Sequence, residues 1–193
     1  MRVITGKAKG HRLKAPKGLG TRPMLDRVKE SLFAVLEGYG PLRGPVLDLY
    51  AGTGSLGIEC LSRGASTADF VEQRPHVCQI IEENLQHTKF KLQGHVHCTR
   101  VERYLRATRG QKTYAIIILD PPYADPQIIP TIQTVFKLGL GMPQSLLVVG
   151  HSPRVLLFEA YANWQRLQFR RIGDSCFSIY APAPLLESGG AME

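Results

Sequence analysis

The chain has 193 residues, a formal net charge of +8 and 44% hydrophobic residues. This length favours one domain with a substantial core, and no apolar run approaches the ~20 residues of a membrane-spanning helix. The four cysteines form no CxxC pair. We therefore expect neither a metal site nor a disulfide framework, and a reducing cytoplasm is the simplest compartment.

The positive charge is concentrated at the N-terminus, where residues 1–22 contain no acid. The basic residues of this segment are Arg2, Lys7, Lys9, Arg12, Lys14, Lys17 and Arg22. A local block of this kind favours a polyanionic partner, so we predict that residues 1–22 contact nucleic acid; a solvated flexible tail is the alternative. Two short strands, 2–5 and 10–15, are predicted around a glycine-containing turn, which would make the segment a small β-hairpin extension.

Strands and helices alternate along the rest of the chain. Apolar residues at helical spacing predict a first helix from Leu25 to about Gly38. The next strands are predicted at 45–50, 68–71, 95–98, 114–119 and 146–149, and the helices between them at 55–63, 75–87, 101–107 and 128–137. Segments 165–171 and 175–180 predict a closing antiparallel hairpin. The alternation indicates an α/β fold with a doubly wound, mostly parallel sheet in a domain of residues 23–182, followed by a loose tail at 183–193.

A glycine-rich segment joins the first of these strands to its helix. Residues 48–57 read DLYAGTGSLG, which contains G-x-G-x-x-G, and the acid Glu72 follows the second strand. This pattern is typical of a dinucleotide site, so a nicotinamide cofactor is one candidate. Asp48, however, would repel a pyrophosphate and attract a cationic sulfonium that carries an amino-acid tail. The segment therefore favours S-adenosylmethionine.

The tetrapeptide Asp120-Pro121-Pro122-Tyr123 follows the apolar fourth strand, at the end where open α/β sheets bind ligands. The Asp120 carboxylate and the Pro121 carbonyl can each accept a hydrogen bond from an exocyclic amine, and the two prolines fix the backbone. Tyr123 offers a face on which a base can stack. An ordinary proline turn, with Asp120 capping the next helix, is the alternative. Together with the glycine-rich segment, the motif predicts methyl transfer to the amine of a base, and it does not distinguish guanine from adenine.

The order of these motifs resembles that of amino-methyltransferases that act on DNA or RNA bases. Four further segments narrow the resemblance: RVITG at 2–6, GHRL at 10–13, TRPMLDRVKESLF at 21–33 and GDSCFSIY at 173–180. Together they resemble the RsmD family of bacterial 16S ribosomal RNA guanine-N2 methyltransferases, over residues 2 to about 181.

The resemblance implies a Rossmann-like class I S-adenosylmethionine-dependent methyltransferase fold. It also implies a partner, the 16S rRNA in a 30S subunit or an assembly intermediate, and a monomeric enzyme. Asp120 to Tyr123 would hold the target guanine, and Arg22, Asp26 and Arg27 would belong to an RNA-facing element. The cofactor residues it implies are Asp48, Tyr50, Ala51, Gly52, Thr53, Gly54, Leu56, Gly57, Glu72, Gln73, Arg100 and Val101, with Glu72 on the ribose hydroxyls.

Three positions depart from the family's pattern. Met24 stands where the family usually has Thr, and Gly150 stands where many members have Glu. Arg100 stands where Asp or Asn often lies near the adenine ring, so backbone groups are expected to hold the adenine here. A DNA adenine-N6 methyltransferase, an inactive RNA-binding relative and a nicotinamide dehydrogenase are the competing hypotheses.

Overall fold

The structure is a computed structural model that describes residues 1–16, 26–108, 111–122 and 125–183. Five of the positions named above lie outside the described residues: Lys17, Arg22, Met24, Leu25 and Tyr123. Most of the predicted C-terminal tail, 184–193, also lies outside them. No helix in the described ranges is long and apolar enough to cross a membrane.

The described residues form five helices and eight strands. In chain order these are α1 Asp26–Gly38, β1 Pro45–Leu49, α2 Ser55–Arg63, β2 Thr67–Glu72, α3 Pro75–His87, β3 Gly94–Cys98, α4 Val101–Ala107, β4 Tyr114–Leu119, α5 Ile128–Lys137, β5 Gly141–His151, β6 Ala160–Tyr161, β7 Trp164–Ile172 and β8 Ser175–Pro182. The predicted helices and the predicted parallel strands are confirmed to within a few residues.

One sheet contains all eight strands, in the order β3-β2-β1-β4-β5-β8-β7-β6. The strands from β3 to β5 pair in parallel, whereas β8, β7 and β6 are antiparallel additions at one edge. After β1 the chain moves outward to β2 and β3, and β4 then returns to the other side of β1. A crevice at the carboxyl ends of β1 and β4 is the expected ligand site of such a sheet.

Alternating side chains of the central strands build a core on each face of the sheet. Val46, Ile116 and Val148 face the cluster that contains α1, α2 and α3. Leu47 and Ile117 face the cluster under α4 and α5. Because both faces are covered, these strands carry near-continuous apolar runs, which is what made them recognisable in the sequence.

The sequence did not reveal the start of β5 or the short strand β6. β5 extends from Gly141 to His151, well before the predicted start at 146, and its register with β4 shifts between Tyr114 and Ile116. Pro143 cannot donate to the ladder and Met142 is the only large apolar residue of the strand before Leu146, so the sequence pattern did not indicate this part of the strand. The two-residue strand β6 is too short to give a periodic signal.

The N-terminal segment pairs with itself as a short antiparallel hairpin, as predicted, although the paired part is only a few residues long. Backbone hydrogen bonds join its two arms, from the Val3 amide to the His11 carbonyl at 3.0 Å and from the Leu13 amide to the Met1 carbonyl at 3.2 Å, around an antiparallel bridge between Arg2 and Arg12. The Ile4 and Thr5 amides donate to the Glu59 carboxylate of α2, at 2.8 and 3.0 Å. The segment is therefore not an isolated hairpin, because α2 binds part of its backbone.

Residues 1–16 are also not a solvated tail. The apolar side chains Val3, Ala8 and Leu13 are buried in the core cluster of α1, α2 and α3. Gly6 has φ +85°, and a Cβ there would lie 1.9 Å from the Ser62 carbonyl oxygen, so only glycine allows this close approach. The segment is therefore a packed part of the domain.

A buried ion pair joins this segment to two helices. The Lys29 ammonium lies 3.1 Å from the Glu59 carboxylate, and neither side chain is exposed. The ammonium also donates to the Arg2 carbonyl at 2.6 Å and to the Ser55 hydroxyl at 3.2 Å. A buried pair needs additional hydrogen bonds to offset its desolvation, and here they come from the N-terminal segment and from the start of α2.

Candidate active site

A cleft of about 550 Å³ opens at the carboxyl ends of β1 and β4, a volume suited to a small-molecule ligand. Most of the predicted site residues line it: Asp48, Tyr50, Ala51, Gly52, Thr53, Leu56, Glu72, Gln73, Arg100, Val101, Asp120, Pro121 and Pro122. Gly54 and Gly57 are not on its surface. Met1, Ala15 and Pro16 form part of its wall, which sequence reasoning did not anticipate.

The glycines of the β1–α2 segment serve different purposes. Gly52 and Gly54 adopt left-handed φ values of 54° and 76° and make the turn possible. A Cβ on Gly57 would lie 2.3 Å from the Phe70 ring, so this glycine lets α2 pack against β2. Tyr50 also has a positive φ, 61°, which is costly for a non-glycine residue, and its hydroxyl is 3.1 Å from that of Thr131 on α5. The segment is thus held in a strained conformation by its surroundings.

Asp48 anchors the start of α2. Its side chain is 1% exposed, and its Oδ2 accepts a hydrogen bond from the Gly57 amide at 2.9 Å. Burial holds the pKa of Asp48 well above its ordinary value, and the nearby charges of Asp120 and Glu72 raise it further, although the bond from Gly57 opposes the shift. Asp48 therefore has a structural role in addition to the predicted electrostatic one.

Glu72 fixes both the glycine turn and the residues after β2. Its carboxylate accepts from the Gly52 amide at 3.1 Å and from the Arg74 amide at 3.0 Å. The Arg74 guanidinium adds an ion pair at 3.0 Å, a partner that the sequence pattern did not indicate. A ribose bound to Glu72 would take the place of this guanidinium, whose side chain is 38% exposed and can turn to solvent.

The start of α4 forms the next part of the wall. Arg100 is the N-cap residue of α4, with extended φ and ψ of −70° and 147°, and its side chain makes no capping hydrogen bond. Val101 is buried and lines the cleft together with Val71. Apolar side chains therefore form this part of the wall.

Asp120 has no hydrogen-bond partner for its carboxylate among the residues that the structure describes. Burial raises the pKa of this carboxyl group from 3.8 to about 6. Its Oδ1 lies directly against Gly150, where a Cβ would be only 2.3 Å away. Gly150, a departure from the family's pattern, thus provides the space that the Asp120 side chain occupies.

The alternative role of Asp120 as a helix cap does not fit the structure. The N-cap residue of α5 is Gln127, and the turn before it is closed by Asp125, whose Oδ1 accepts from the Gln127 amide at 2.8 Å. Asp120, Pro121 and Pro122 instead lie on the cleft. Tyr123, the predicted stacking residue, lies outside the described residues.

The residues that line the cleft include five with carboxyl groups, Asp48, Glu72, Glu102, Asp120 and Asp125, against two arginines, Arg74 and Arg100. Such a lining attracts a cationic ligand and repels a pyrophosphate. This arrangement argues against the nicotinamide alternative. The described residues contain no cluster of three or more His, Cys, Asp or Glu side chains that could hold a metal ion.

His151, the last residue of β5, lines the cleft, as does Asp120, which directly follows the neighbouring strand β4. Its Nδ1 is 3.0 Å from the Ser152 carbonyl oxygen, which can only accept, so Nδ1 carries the proton. Its Nε2 is 3.0 Å from the Ser178 hydroxyl and accepts from it. Burial lowers the pKa of His151, so the ring is neutral and positioned by both neighbours.

The basic residues predicted to bind RNA are all on the surface where the structure describes them. Arg2, Lys7, Lys9, Arg12, Lys14 and Arg27 are exposed. Lys14 forms an ion pair with Glu83 at 2.8 Å. Ala15 and Pro16 of the same segment line the cleft, whereas the Lys7 amide donates to the Ser62 carbonyl near the C-terminal end of α2, so these cations are spread along the segment rather than gathered at the cleft.

Comparisons with known proteins agree with the motifs. A family model described as conserved hypothetical protein 95 matches residues 1–181. Ribosomal RNA small subunit methyltransferase D from Haemophilus influenzae is 36% identical over 181 residues, covering 93% of each chain. The protein of the same name from Escherichia coli K12 is 29% identical and covers 93% of this chain and 89% of its own length. The solved structure of yhhF from Escherichia coli, which is named as a methyltransferase, superposes with a TM-score of 0.83 at 30% identity, covering 95% of this chain and 98% of that one. The predicted family and fold class are confirmed.

Proposed function

The chain belongs to the RsmD family, described as conserved hypothetical protein 95, and from this membership we propose that it transfers a methyl group from S-adenosylmethionine to the exocyclic N2 amine of a guanine in 16S ribosomal RNA. The proposed substrate is the rRNA within a small subunit or an assembly intermediate, and the proposed active form is a cytoplasmic monomer. The observation that carries the proposal is the Asp120 carboxylate, which has no hydrogen bond from any residue that the structure describes and shares a cleft with the glycine-rich segment.

The residues of the cleft fit S-adenosylmethionine. The acidic lining suits a ligand that carries a sulfonium and an ammonium group. At Gly52 the backbone is open, since the nearest atom to an added Cβ would be the Tyr50 carbonyl oxygen at 3.9 Å. Glu72 is placed for ribose hydroxyls, and Val71 and Val101 for the adenine ring. When bound, this cofactor supplies a methyl group that is already activated for transfer.

The protein's contribution to the reaction is to position and deprotonate an amine. The lone pair of a guanine N2 amine is delocalised into the ring. Hydrogen bonds from that amine to the Asp120 carboxylate and the Pro121 carbonyl would favour a tetrahedral nitrogen with an exposed lone pair. Asp120 would accept the proton that this nitrogen loses when it is methylated at the expense of the cofactor's sulfur–methyl bond. The pKa of about 6 makes Asp120 a better proton acceptor than an ordinary aspartate.

The target guanine must leave any base pair to reach this cleft. A paired amine is out of reach, so the substrate is single-stranded or flipped out of a helix. Stacking on an aromatic face offsets roughly 1–3 kcal/mol of the cost, and Tyr123 is the proposed residue for this role.

The direct test is transfer of labelled methyl to naked 16S rRNA, to 30S subunits isolated without the modification, and to duplex DNA, followed by nucleoside analysis. The proposal predicts N2-methylguanosine in the RNA arms. Transfer to adenine N6 in the DNA arm would support the adenine methyltransferase instead. Cofactor binding with no transfer to any polymer would support the inactive RNA-binding relative.

The proposed role of the basic N-terminal segment has its own test. Replacing Lys7, Lys9 and Arg12 with Gln should weaken RNA binding and reduce its salt dependence, with cofactor affinity unchanged. A control with the same change of charge replaces the exposed Arg103, Arg106 and Lys137 of α4 and α5. Equal losses in the two triple variants would show that only net charge matters and would contradict a local contact.

A further inference from the structure

The surface of β7 carries an aromatic side chain that the proposed reaction does not use. Phe169 is 48% exposed and lies in the part of β7 that pairs with β8 alone, since β6 pairs only with Trp164 and Gln165. A single exposed aromatic side chain is common, so its meaning depends on the residues around it.

The strand register connects Phe169 to the cleft. Arg171 of β7 is opposite Cys176 of β8, which is opposite His151 of β5. One row behind, Phe169 is opposite Ser178, which is opposite Val149. Directly opposed residues of antiparallel strands project to the same face, so all these side chains share one side of the sheet.

Side-chain contacts confirm this row. The ring of His151 lies 6.0 Å from the ring of Phe169, centroid to centroid, and its Nε2 accepts from the Ser178 hydroxyl between them. His151 and Cys176 both line the cleft. Phe169 is two strand spacings from β5, which is ~10 Å. His151, Ser178, Phe169 and Arg171 belong to two adjacent cross-strand rows on one face of the sheet. Together they are called here the Phe169 row, and they extend outward from the mouth of the cleft.

One cation contacts this aromatic ring, and a second lies on the same face of β7. The Arg166 guanidinium lies 5.7 Å from the centre of the Phe169 ring and is also paired with Glu159. Arg171, two residues along the strand, is exposed, and its Nε donates to the Gly173 carbonyl at 3.1 Å, which holds the guanidinium at the hairpin turn. An aromatic face beside guanidinium groups is the combination with which proteins bind single-stranded nucleic acid.

We propose that the Phe169 row binds a nucleotide that flanks the target guanine, with its base stacked on Phe169 and its phosphate held by Arg171. This inference rests on the proposed function and deepens it, because it adds a second RNA contact on the β8–β7 side of the cleft. The basic N-terminal segment and the Phe169 row then hold the strand at two separate points, and the target base enters between them.

The neighbouring residue Arg170 provides a matched control. It is opposite Phe177, whose side chain is in the core cluster under α1, α2 and α3. Arg170 therefore projects to the other face of the sheet, although it is adjacent to Arg171 in sequence and also exposed. Phe158 is the control for Phe169, because it is an aromatic residue with 60% exposure in the loop before β6 and lies outside the row.

The experiment measures binding of single-stranded 16S rRNA fragments by anisotropy and methyl transfer by single turnover, with wild-type protein and with Phe169→Ala, Arg171→Gln, Phe158→Ala and Arg170→Gln. Phe169→Ala should weaken RNA binding by about 5- to 150-fold, the range for loss of one stacked base. Arg171→Gln should weaken it less, whereas Phe158→Ala and Arg170→Gln should leave it within about twofold of wild type. Cofactor affinity and the thermal midpoint should not change in any variant.

Equal losses in Phe169→Ala and Phe158→Ala, or in Arg171→Gln and Arg170→Gln, would overturn the proposal. The proposal would also be overturned if Phe169→Ala bound naked RNA normally but methylated assembled subunits slowly. That result would indicate that the Phe169 row contacts a protein of the subunit. Failure of the wild-type protein to methylate any RNA would refute the proposed function instead, and the two failures are thus distinguishable.

Discussion

The carboxylates on the two sides of the cleft differ in the partners that they already have. On the β1–β2 side, Asp48 accepts from the Gly57 amide, and Glu72 accepts from the amides of Gly52 and Arg74. On the β4–β5 side, the Asp120 carboxylate has no hydrogen bond from any described residue, and burial alone raises its pKa. The first pair holds the turn that receives the cofactor. The third group is left with full acceptor capacity, as a site for a substrate amine requires.

The separate roles of the two sides of the cleft are tested most strongly by substitutions that remove one carboxylate charge with little change of shape. Asp120→Asn should lower the rate of methyl transfer by about 10²- to 10⁴-fold, because it removes both the proton acceptor and the stronger hydrogen-bond acceptor, while cofactor affinity stays nearly unchanged. Glu72→Gln should do the reverse and weaken cofactor binding about tenfold or more, with much less effect on turnover at saturating cofactor. Calorimetry and single-turnover assays on the same preparations measure both quantities. If both variants lose cofactor affinity, or if both lose only the rate of methyl transfer, the two sides of the cleft do not have separate roles.

The rate of methyl transfer should fall less when the Asp120 carboxylate is displaced than when it is replaced. In Gly150→Ala the new Cβ would lie 2.3 Å from Oδ1, so the carboxylate must move. We expect turnover to fall roughly 10- to 100-fold, since misplacement by about 1 Å costs rates of this order, with cofactor affinity retained. Gly38→Ala is the control, because an added Cβ there meets no atom within 4 Å. Wild-type turnover in Gly150→Ala would contradict the positioning role.

The smallest effect concerns stability and its dependence on pH. The pKa of Asp120 is about 6 in the folded protein and near its ordinary 3.8 in the unfolded chain. Between these two pH values the folded state binds more protons, so this group makes the free energy of unfolding fall as pH rises through the window. Asp120→Asn does not ionise and so avoids this destabilisation, and we expect it to be up to about 3 kcal/mol more stable than wild type at pH 8. Chemical denaturation of both proteins at pH 4 and pH 8 checks the sign, and a variant that is less stable at pH 8 would show that the charged carboxylate is stabilised in the fold.

Much of this arrangement was predictable because it depends on local sequence. Apolar runs indicated the buried strands, and the motifs at 48–57 and 120–123 were placed at strand ends that parallel pairing brings together. Contacts between distant residues gave no such signal. Lys29 and Glu59 are 30 positions apart on different helices and pair only because both helices pack on the same face of the sheet.

Two other features depended on tertiary contacts in the same way. The departure at Gly150 was visible in the sequence, but its consequence for Asp120 follows from the β4–β5 register. The N-terminal hairpin was predictable from its strand-like composition, but its attachment to the domain was not, because the Ile4 and Thr5 amides donate to the Glu59 carboxylate of α2.

The most direct test of the central claim is a carbon-13 NMR titration of the Asp120 carboxyl group in the protein without RNA or cofactor, assigned by comparison with Asp120→Asn. A buried carboxylate that awaits a substrate amine should titrate with a midpoint near pH 6. A midpoint near the ordinary value of 3.8 would mean that the carboxylate is already hydrogen-bonded or solvated, and it would contradict the account.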